Sequence, residues 1–337
     1  MTRTLLQERL ISIVKRFPQR RILVIGDAIA DQFVYGAISR VSREAPVLIL
    51  KHEQTETVPG GAANCAVNLA SLGAHVSLVA AAGTDAAGRA LIERLEIAGV
   101  DCRGIVVSEE LQTTTKVRIL AGQVHSTRQQ VIRIDYDGGS LATPELQAQL
   151  QQRSRELGQG ADAIIISDYN YGVVNHAMGK VISETGKASL PVLVDSRFQL
   201  SNFRGFTSAT PNEDEVEQLL GKAFSSFEGL AAAGEHLCEQ LGYRALLITR
   251  GSQGMMLLES GVPPLHIEAV GAREPVDVTG AGDTVIAAYT LALASDASFP
   301  DAAHLANHAG GLVVMKRGTA SVTAAELENS LVHAESV

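Results

Sequence analysis

The chain has 337 residues, 46% hydrophobic and 19% charged, a composition typical of a globular protein with a substantial core. Its net charge of −9 and its lack of tryptophan argue against a nucleic-acid or anionic-membrane partner, although a local basic pocket can still bind an anionic small substrate. Three widely spaced cysteines, no signal-peptide core and no apolar run near the ~20 residues that span a bilayer predict a reduced, cytoplasmic protein.

Strands and helices alternate along most of the chain. The pattern of 5–17 predicts an amphipathic helix, and the apolar run 21–27 predicts a buried strand that ends in Gly26 and Asp27. Further helices are predicted over 60–72, 86–98, 144–157, 175–185, 213–220, 230–241, 282–294 and 302–314, and further strands over 76–80, 104–107, 163–167, 192–195 and 245–249. This alternation predicts a single α/β domain over 1–337, with a mostly parallel central sheet covered by helices on both faces.

Two stretches break this alternation and predict a small β-rich lid over the end of the first strand. The strand-like runs are 33–35, 47–50, 114–120 and 131–136. We expect the lid to consist of insertions at about 33–52 and 104–136, and its exposed strand edges favour a homodimer formed through two lids. The lid concentrates basic residues that suit either a phosphorylated substrate or solvated strand edges, namely Arg40, Arg43, Lys116, Arg118, Arg128 and Arg133.

The stretch Asp277-Val-Thr-Gly-Ala-Gly-Asp283 precedes a strong helix-forming run. Gly280, Ala281 and Gly282 leave the first backbone N–H groups of the helix accessible, and the helix dipole adds positive charge, so this start suits a phosphate. Asp283 beside bound phosphate would be repelled unless it accepts a proton from an attacking hydroxyl. A glycine-rich helix start with an ordinary first-turn acid explains the stretch equally well.

Two stretches nearer the N-terminus fit a polyhydroxylated substrate. Gly60 and Gly61 open a predicted helix and allow close approach of a ligand, while Asn64 offers both a donor and an acceptor. Asp27 and Asp31 bracket the end of the first strand, where a carboxylate can accept several hydrogen bonds from sugar hydroxyls. A simple strand-to-helix turn and solvated loop acids are the alternatives.

Two later motifs fit nucleotide and metal binding. Asn212 and Glu215 stand three apart at a helix start, where their oxygens suit hydrated Mg²⁺ beside phosphates, although N-capping is the simpler explanation. Thr249, Gly251 and Gly254 follow an apolar strand in a turn that suits either a nucleotide phosphate or a hairpin. The nine histidines show no metal-ligand spacing.

In this order and spacing, the motifs resemble those of the ribokinase-like (PfkB) carbohydrate kinases. The resemblance covers about 21–325 and implies a three-layer α/β/α fold with a β-rich lid. Within that family the chain is most similar to the D-glycero-D-manno-heptose 7-phosphate 1-kinases. The segments that indicate this similarity are Tyr35-Gly36, Ser39-Arg40, 44–47, 113–118, 129–135, 167–169 and Ala306-Asn307.

The resemblance implies a role for each matching residue in the ATP-dependent phosphorylation of a sugar hydroxyl, most simply the anomeric hydroxyl of the heptose 7-phosphate. Asp283 would be the catalytic base, and Gly280, Ala281 and Gly282 would form an anion hole for the γ-phosphate. Asn212 and Glu215 would organise Mg²⁺ through water, and Asp277 and Thr279 would hold a monovalent cation such as K⁺. ATP would be bound by Thr249, Gly251, Gly254 and Asn307. The sugar would be bound by Asp31, Gly60, Gly61, Asn64, Arg118 and Arg133.

The chain departs from the heptose kinases at three places, and these departures leave the sugar open. Asn170-Tyr171-Gly172 stands where Lys-Gly is usual, Asp195-Ser196-Arg197 replaces Asp-Pro-Lys, and 121–127 is longer, with His125 inserted. Another sugar, sugar phosphate or nucleoside is therefore an alternative substrate. We expect no fused nucleotidylyltransferase domain after residue 320.

Two other classes of protein are disfavoured. A non-catalytic sugar sensor would not need the intact Asp283, Asn212 and Glu215. A dinucleotide-binding dehydrogenase would require a Gly-x-Gly-x-x-Gly turn after the first strand, which instead ends in Gly26-Asp27.

Overall fold

The computed structural model describes residues 3–122, 128–138, 141, 143–185, 190–271 and 274–333. The strands are β1 (Arg21–Gly26), β2 (Ala28–Val41), β3 (Leu48–Gly61), β4 (His75–Val79), β5 (Ala81–Gly83), β6 (Val106–Ser108), β7 (Thr115–Gly122), β8 (Gln129–Tyr136), β9 (Ala163–Asp168), β10 (Val192–Ser196), β11 (Ser208–Ala209), β12 (Ala245–Thr249), β13 (Met255–Glu259) and β14 (Leu265–Ile267). The helices are α1 (Arg3–Val14), α2 (Ala62–Ser71), α3 (Ala86–Ile97), α4 (Pro144–Gly158), α5 (His176–Thr185), α6 (Glu213–Leu220), α7 (Phe227–Leu241), α8 (Ala281–Ala294), α9 (Phe299–Val313) and α10 (Ala324–His333).

Local sequence signals set many of the helix ends. The side chains of Asp85, Thr143, Ser226 and Ser298 each accept a hydrogen bond from a backbone N–H in the first turn of α3, α4, α7 and α9. At the other end, α6 and α7 stop at Gly221 and Gly242, which adopt left-handed backbone conformations. In the described part of the chain, none of the helices has both the length and the apolar character needed to span a membrane.

The central sheet has eight strands in the order β14-β13-β12-β11-β10-β9-β1-β4. The strands from β12 to β4 are parallel, whereas β13 and β14 extend one edge in antiparallel fashion. Alternate side chains of β1 point to opposite faces: Ile22 and Val24 belong to the core formed with α2, α8 and α9, and Leu23 and Ile25 to the core formed with α4, α5 and α7. The predicted three-layer arrangement is therefore confirmed.

The parallel strands bring polar residues to one edge of the sheet. Asp27 follows β1, Asp168 ends β9, Asp195 lies near the end of β10 and Thr249 ends β12. Since the carboxyl ends of parallel strands share one edge, this edge is where a ligand site is expected.

The lid is a separate four-stranded sheet in the order β3-β2-β7-β8. Strand β2 pairs with β3 from Ala28 opposite Gly61 to Val41 opposite Leu48, and it also pairs in parallel with β7. The first lid segment is thus longer than the predicted 33–52. The hydrophobic runs in the sequence predicted strands that are too short, because much of the β2–β3 ribbon is polar or exposed on both faces.

Three local predictions need correction. Gly60 and Gly61 end β3, and α2 begins only at Ala62, because the two glycines pair with β2 before the chain turns. Strand β6 pairs with β5 in a small two-stranded sheet, so the second lid segment begins at β7 and not at residue 104. Residues 123–127, which include His125, lie outside the described residues.

Candidate active site

Asp283 lies in the first turn of α8 at the carboxyl edge of the central sheet and is 4% exposed. Its Oδ2 accepts a hydrogen bond from Asn64 Nδ2 at 2.7 Å, and its Oδ1 accepts one from the Tyr169 hydroxyl at 3.0 Å. Burial raises the pKa of Asp283 to about 6, while the hydrogen bonds from Asn64 and Tyr169 oppose that rise. The carboxylate is therefore ionised at neutral pH and basic enough to accept a proton from an attacking hydroxyl.

A chain of buried amides and hydroxyls orients Asn64. Asn68 Nδ2 donates to Asn64 Oδ1 at 3.1 Å, and Thr284 Oγ1 donates to Asn68 Oδ1 at 2.9 Å. Gly280 must be a glycine here, because its φ is 76° and a Cβ would lie 2.5 Å from Asn64 Nδ2. Asn64, predicted to bind the sugar, thus also holds Asp283 in place.

Asp283 faces a polar cavity of about 390 Å³ between the lid and the sheet edge. The cavity brings together most of the predicted site residues: Asp31, Gly60, Gly61, Asn64, Arg118, Arg133, Asn212, Glu215, Thr249, Thr279, Gly280, Ala281 and Gly282. Arg118 forms an ion pair with Asp31, and both side chains are largely buried. The missing Cβ of Gly60 makes room for this pair, since it would lie 2.3 Å from Asp31 Oδ2.

A second, mainly apolar cavity of about 210 Å³ adjoins the first at Ala281 and Gly282. It contains the four residues predicted to bind nucleotide, namely Thr249, Gly251, Gly254 and Asn307. Val270, Pro275 and Val285 supply apolar surface, and Asn307 Nδ2 donates to the backbone oxygen of Glu268 at 2.7 Å. A concave apolar site with a few polar groups suits an aromatic base.

The start of α8 separates the two cavities. In the described part of the chain, the backbone N–H groups of Gly282 and Asp283 have no acceptor, whereas that of Ala281 donates to Val278 and that of Thr284 to Gly280. Free N–H groups at the positive end of a helix dipole suit a phosphate. The geometry therefore fits an anion hole formed by the N–H groups of Gly282 and Asp283, whereas the N–H of Ala281, predicted to belong to it, is already engaged.

Asn212 and Glu215 form a reciprocal capping box at the start of α6. Asn212 Oδ1 accepts from Glu215 N at 2.8 Å, and Glu215 Oε2 accepts from Asn212 N at 2.9 Å. The simpler explanation, N-capping, is therefore correct for the local structure, yet both side chains also line the polar cavity.

The oxygens beside Glu215 are of the kind that Mg²⁺ prefers. Burial raises the pKa of Glu215 and raises that of nearby Asp195 well above its ordinary value. The buried Thr210 Oγ1, which also faces this cavity, has no hydrogen-bond partner among the described residues. Within the same residues, no group of three His, Cys, Asp or Glu side chains could hold a metal ion alone, so water or phosphate oxygens would complete the shell.

Asp277 holds the loop before α8. Its Oδ1 accepts from Thr279 N at 2.9 Å, and its Oδ2 accepts from Gly318 N at 2.9 Å. These hydrogen bonds oppose the effect of burial and keep the pKa of Asp277 low, so the carboxylate stays ionised. Thr279 lines the polar cavity, whereas Asp277 ties the loop to the segment after α9.

Several cavity residues have no role in the sequence-based prediction, among them Asp168, Tyr169, Asp195 and Arg197, while Lys116 is predicted only as one of the basic lid residues. The Lys116 ammonium lies 5.6 Å from the ring centre of Tyr169, and burial lowers its pKa. Asp168, Tyr169 and Asp195 lie at the carboxyl ends of β9 and β10. The rule that ligands gather at such strand ends was the signal that could have found them.

Comparison with known proteins points to one family. The family model for pfkB carbohydrate kinases matches residues 19–325, which is most of the chain. The chain belongs to the pfkB family of carbohydrate kinases. The prediction of an ATP-dependent carbohydrate kinase is thereby confirmed.

The sequence of this kinase is similar to bacterial proteins described as "bifunctional protein HldE". It is 41% identical over 319 residues to the protein of Edwardsiella ictaluri and 41% identical over 316 residues to that of Hahella chejuensis. The matches cover 94% of this chain and 64% of each relative, so the kinase spans less than two thirds of their length.

The fold of the kinase is similar to that of solved sugar kinases. Arabidopsis thaliana ribokinase, complexed with ribose and ATP, matches with a TM-score of 0.73 and 22% identity over 93% of this chain and 98% of that one. Escherichia coli phosphofructokinase-2, in complex with potassium, matches with a TM-score of 0.79 and 19% identity over the same shares. The ribokinase-like fold is thus confirmed.

Proposed function

We propose that this kinase transfers the γ-phosphoryl group of ATP to the anomeric hydroxyl of D-glycero-D-manno-heptose 7-phosphate. The observation that carries the proposed reaction is the position of Asp283, which Asn64 and Tyr169 hold where the polar cavity meets the apolar one. Similarity to the HldE proteins and the segment 113–118 favour the heptose phosphate over other sugars.

The sugar lies in the polar cavity and the nucleotide in the apolar one. Asp283 orients the attacking hydroxyl and accepts its proton, and the N–H groups of Gly282 and Asp283 donate to the transferred phosphoryl group. Asn212 and Glu215 would hold Mg²⁺ through water, and the ion would supply positive charge beside the ATP phosphates. The lid covers the sugar and excludes water, so positioning and electrostatics provide most of the rate.

The charges in the polar cavity support a phosphorylated sugar. Arg118 and Arg133 line the cavity, where each pairs with a carboxylate, Asp31 and Asp135 respectively. Lys116 and Arg197 also line the cavity, and in the described part of the chain neither forms an ion pair with a carboxylate. Cations that form no ion pair with a protein carboxylate leave their charge for a substrate phosphate.

Asp283→Asn tests the base. We expect turnover to fall by about 10³-fold or more, because the amide cannot accept the proton, while the ATP dissociation constant changes only a few fold. Steady-state ADP release and calorimetric titration of ATP measure the two quantities separately. Near-normal turnover in this variant would overturn the assignment of the base.

A panel of sugars tests the substrate. Phosphorus NMR of the product should show a new phosphate on the anomeric oxygen of a 7-phosphorylated heptose. The unphosphorylated heptose is the matched control, and its turnover should be much lower if Lys116 and Arg197 bind the existing phosphate. Preferred phosphorylation of a primary alcohol on an unphosphorylated sugar or nucleoside would refute the heptose phosphate and leave the kinase in place.

The lid also supports the proposed homodimer. Ile132, Ile134 and Tyr136 alternate along edge strand β8 and are 51%, 39% and 44% exposed. An apolar edge strand is protected when a second lid covers it. Light scattering at micromolar concentration should give a dimer that Ile132→Lys dissociates, and a monomeric native protein would contradict the proposal.

The loop 277–279 is proposed to bind a monovalent cation. The ionised Asp277 and the neighbouring Thr279 supply oxygen atoms beside the start of α8, so a cation there would stiffen the anion hole. Turnover in K⁺ should exceed turnover in tetramethylammonium at equal ionic strength. Equal rates in the two salts would remove the cation from the proposal.

A further inference from the structure

The Tyr169 hydroxyl is the second group, besides Asn64, that contacts the Asp283 carboxylate. It donates to Oδ1 at 3.0 Å, while Asn64 donates to Oδ2, so each oxygen of the carboxylate has one donor. Burial and the nearby Asp283 charge raise the pKa of Tyr169 well above its ordinary value. The hydroxyl therefore remains protonated, and able to donate, over the whole range in which a kinase works.

A single buried carboxylate fixes the backbone that carries Tyr169. Asp27 is 1% exposed and accepts three backbone hydrogen bonds, from Tyr169 N at 2.9 Å and from Tyr171 N and Val173 N at 3.0 Å each. These donors come from one loop after β9, which wraps around the carboxylate at the end of β1. The loop also contains Asn170, whose φ of 66° is unusual for a residue other than glycine.

We propose that Tyr169 is a positioning residue for the Asp283 base and that Asp27 holds Tyr169 in place through the backbone. The inference rests on the proposed role of Asp283 and adds two residues to which the sequence-based prediction assigns no such role. Strand β1 and the loop after β9 thereby contribute to proton transfer at the start of α8, although neither Asp27 nor Val173 touches the reacting atoms.

The expected effect of the Tyr169 hydroxyl is electrostatic. A hydrogen bond to an ionised carboxylate favours the charged form, so its loss raises the pKa of Asp283 above about 6. Other groups act on the same carboxylate from neighbouring elements: Asp31 of β2, Lys116 of β7, Asp195 of β10 and Cys65 of α2. All of these remain when only the hydroxyl is removed, so a change can be attributed to Tyr169.

Tyr169→Phe should shift the acid limb of the pH profile of kcat/KM for the sugar upward by about one pH unit. The rate should fall by about fivefold at pH 6 and by less than twofold at pH 8. Tyr171→Phe is the matched control, since the Tyr171 hydroxyl has no hydrogen bond among the described residues and its ring lies at a similar distance, 5.7 Å, from Lys116. Ionisation of the substrate phosphate is common to all variants and cancels in the comparison.

The outcomes separate this inference from the proposed function. An upward shift in Tyr169→Phe, with an unshifted Tyr171→Phe and a melting temperature at pH 8 that falls by no more than the roughly 2 °C expected from the pKa shift itself, supports the positioning role. A Tyr169→Phe profile that coincides with that of the native enzyme overturns it, and so does a loss of rate that is equal at every pH, because a purely structural defect has that signature. If Asp283→Asn is inactive, either of these two contradicting results overturns the role of Tyr169 alone. An active Asp283→Asn overturns the proposed function as well.

Discussion

Asp283→Asn should make the protein more stable at neutral pH while it abolishes turnover. Burial raises the pKa of Asp283 from 3.8 to about 6, so the folded protein disfavours the ionised carboxylate that the proposed reaction requires. A shift of about two pKa units corresponds to about 3 kcal/mol of folding free energy. The neutral amide removes this penalty and can still accept from Asn64 while its NH₂ group donates to the Tyr169 oxygen.

The sign of the pH dependence follows from the raised pKa. At pH below 3.8 the carboxyl is protonated in both folded and unfolded states, so the native protein and the variant differ little. As the pH rises from 3.8 to about 6, the unfolded state loses its proton first, and the native protein loses stability relative to the variant. Above pH 6 the difference stays constant.

Differential scanning calorimetry at pH 4 and pH 8 measures this difference. For a chain of this length, 3 kcal/mol corresponds to a rise in melting temperature of about 4 °C at pH 8. Glu235→Gln removes one exposed carboxylate and should leave the melting temperature nearly unchanged at both pH values. The reasoning would be refuted if Asp283→Asn melts at or below the native melting temperature at pH 8. It would also be refuted if the variant exceeds the native melting temperature by the same margin at pH 4 as at pH 8.

Two further variants separate the two cavities. Arg118→Ala leaves the buried Asp31 without its partner, so the free energy of unfolding should fall by about 3 kcal/mol. The sugar KM should rise at least about tenfold, with little change in the ATP KM. An unchanged sugar KM in initial-rate kinetics would place Arg118 outside the site. Gly311→Ala puts a Cβ 2.1 Å from the backbone oxygen of Val270 at the apolar cavity, so the ATP KM should rise while the sugar KM holds; the opposite pattern would exchange the assignments of the two cavities.

Features that depend on adjacent residues could be predicted from the sequence. Alternating apolar runs indicate the layers of the fold, since a strand buried on both faces and an amphipathic helix each have a recognisable period. The run Gly280-Ala281-Gly282-Asp283 also consists of adjacent residues, and it indicates a helix start with free N–H groups. Predictions failed where local pattern was weak, as in the β2–β3 ribbon, whose polar residues conceal two 14-residue strands.

The sequence by itself determined the class of fold, the helix start beside Asp283 and the order of the motifs, because each depends on a few consecutive residues. Only the tertiary structure decided what surrounds Asp283, the proposed base. Asn64 lies 219 positions from Asp283, and Tyr169 lies 114 positions away, yet both donate to its carboxylate. Such contacts follow from strand order and loop path in the folded sheet, so no local pattern in the chain could show that Asp27 and Tyr169 stand behind the proposed base.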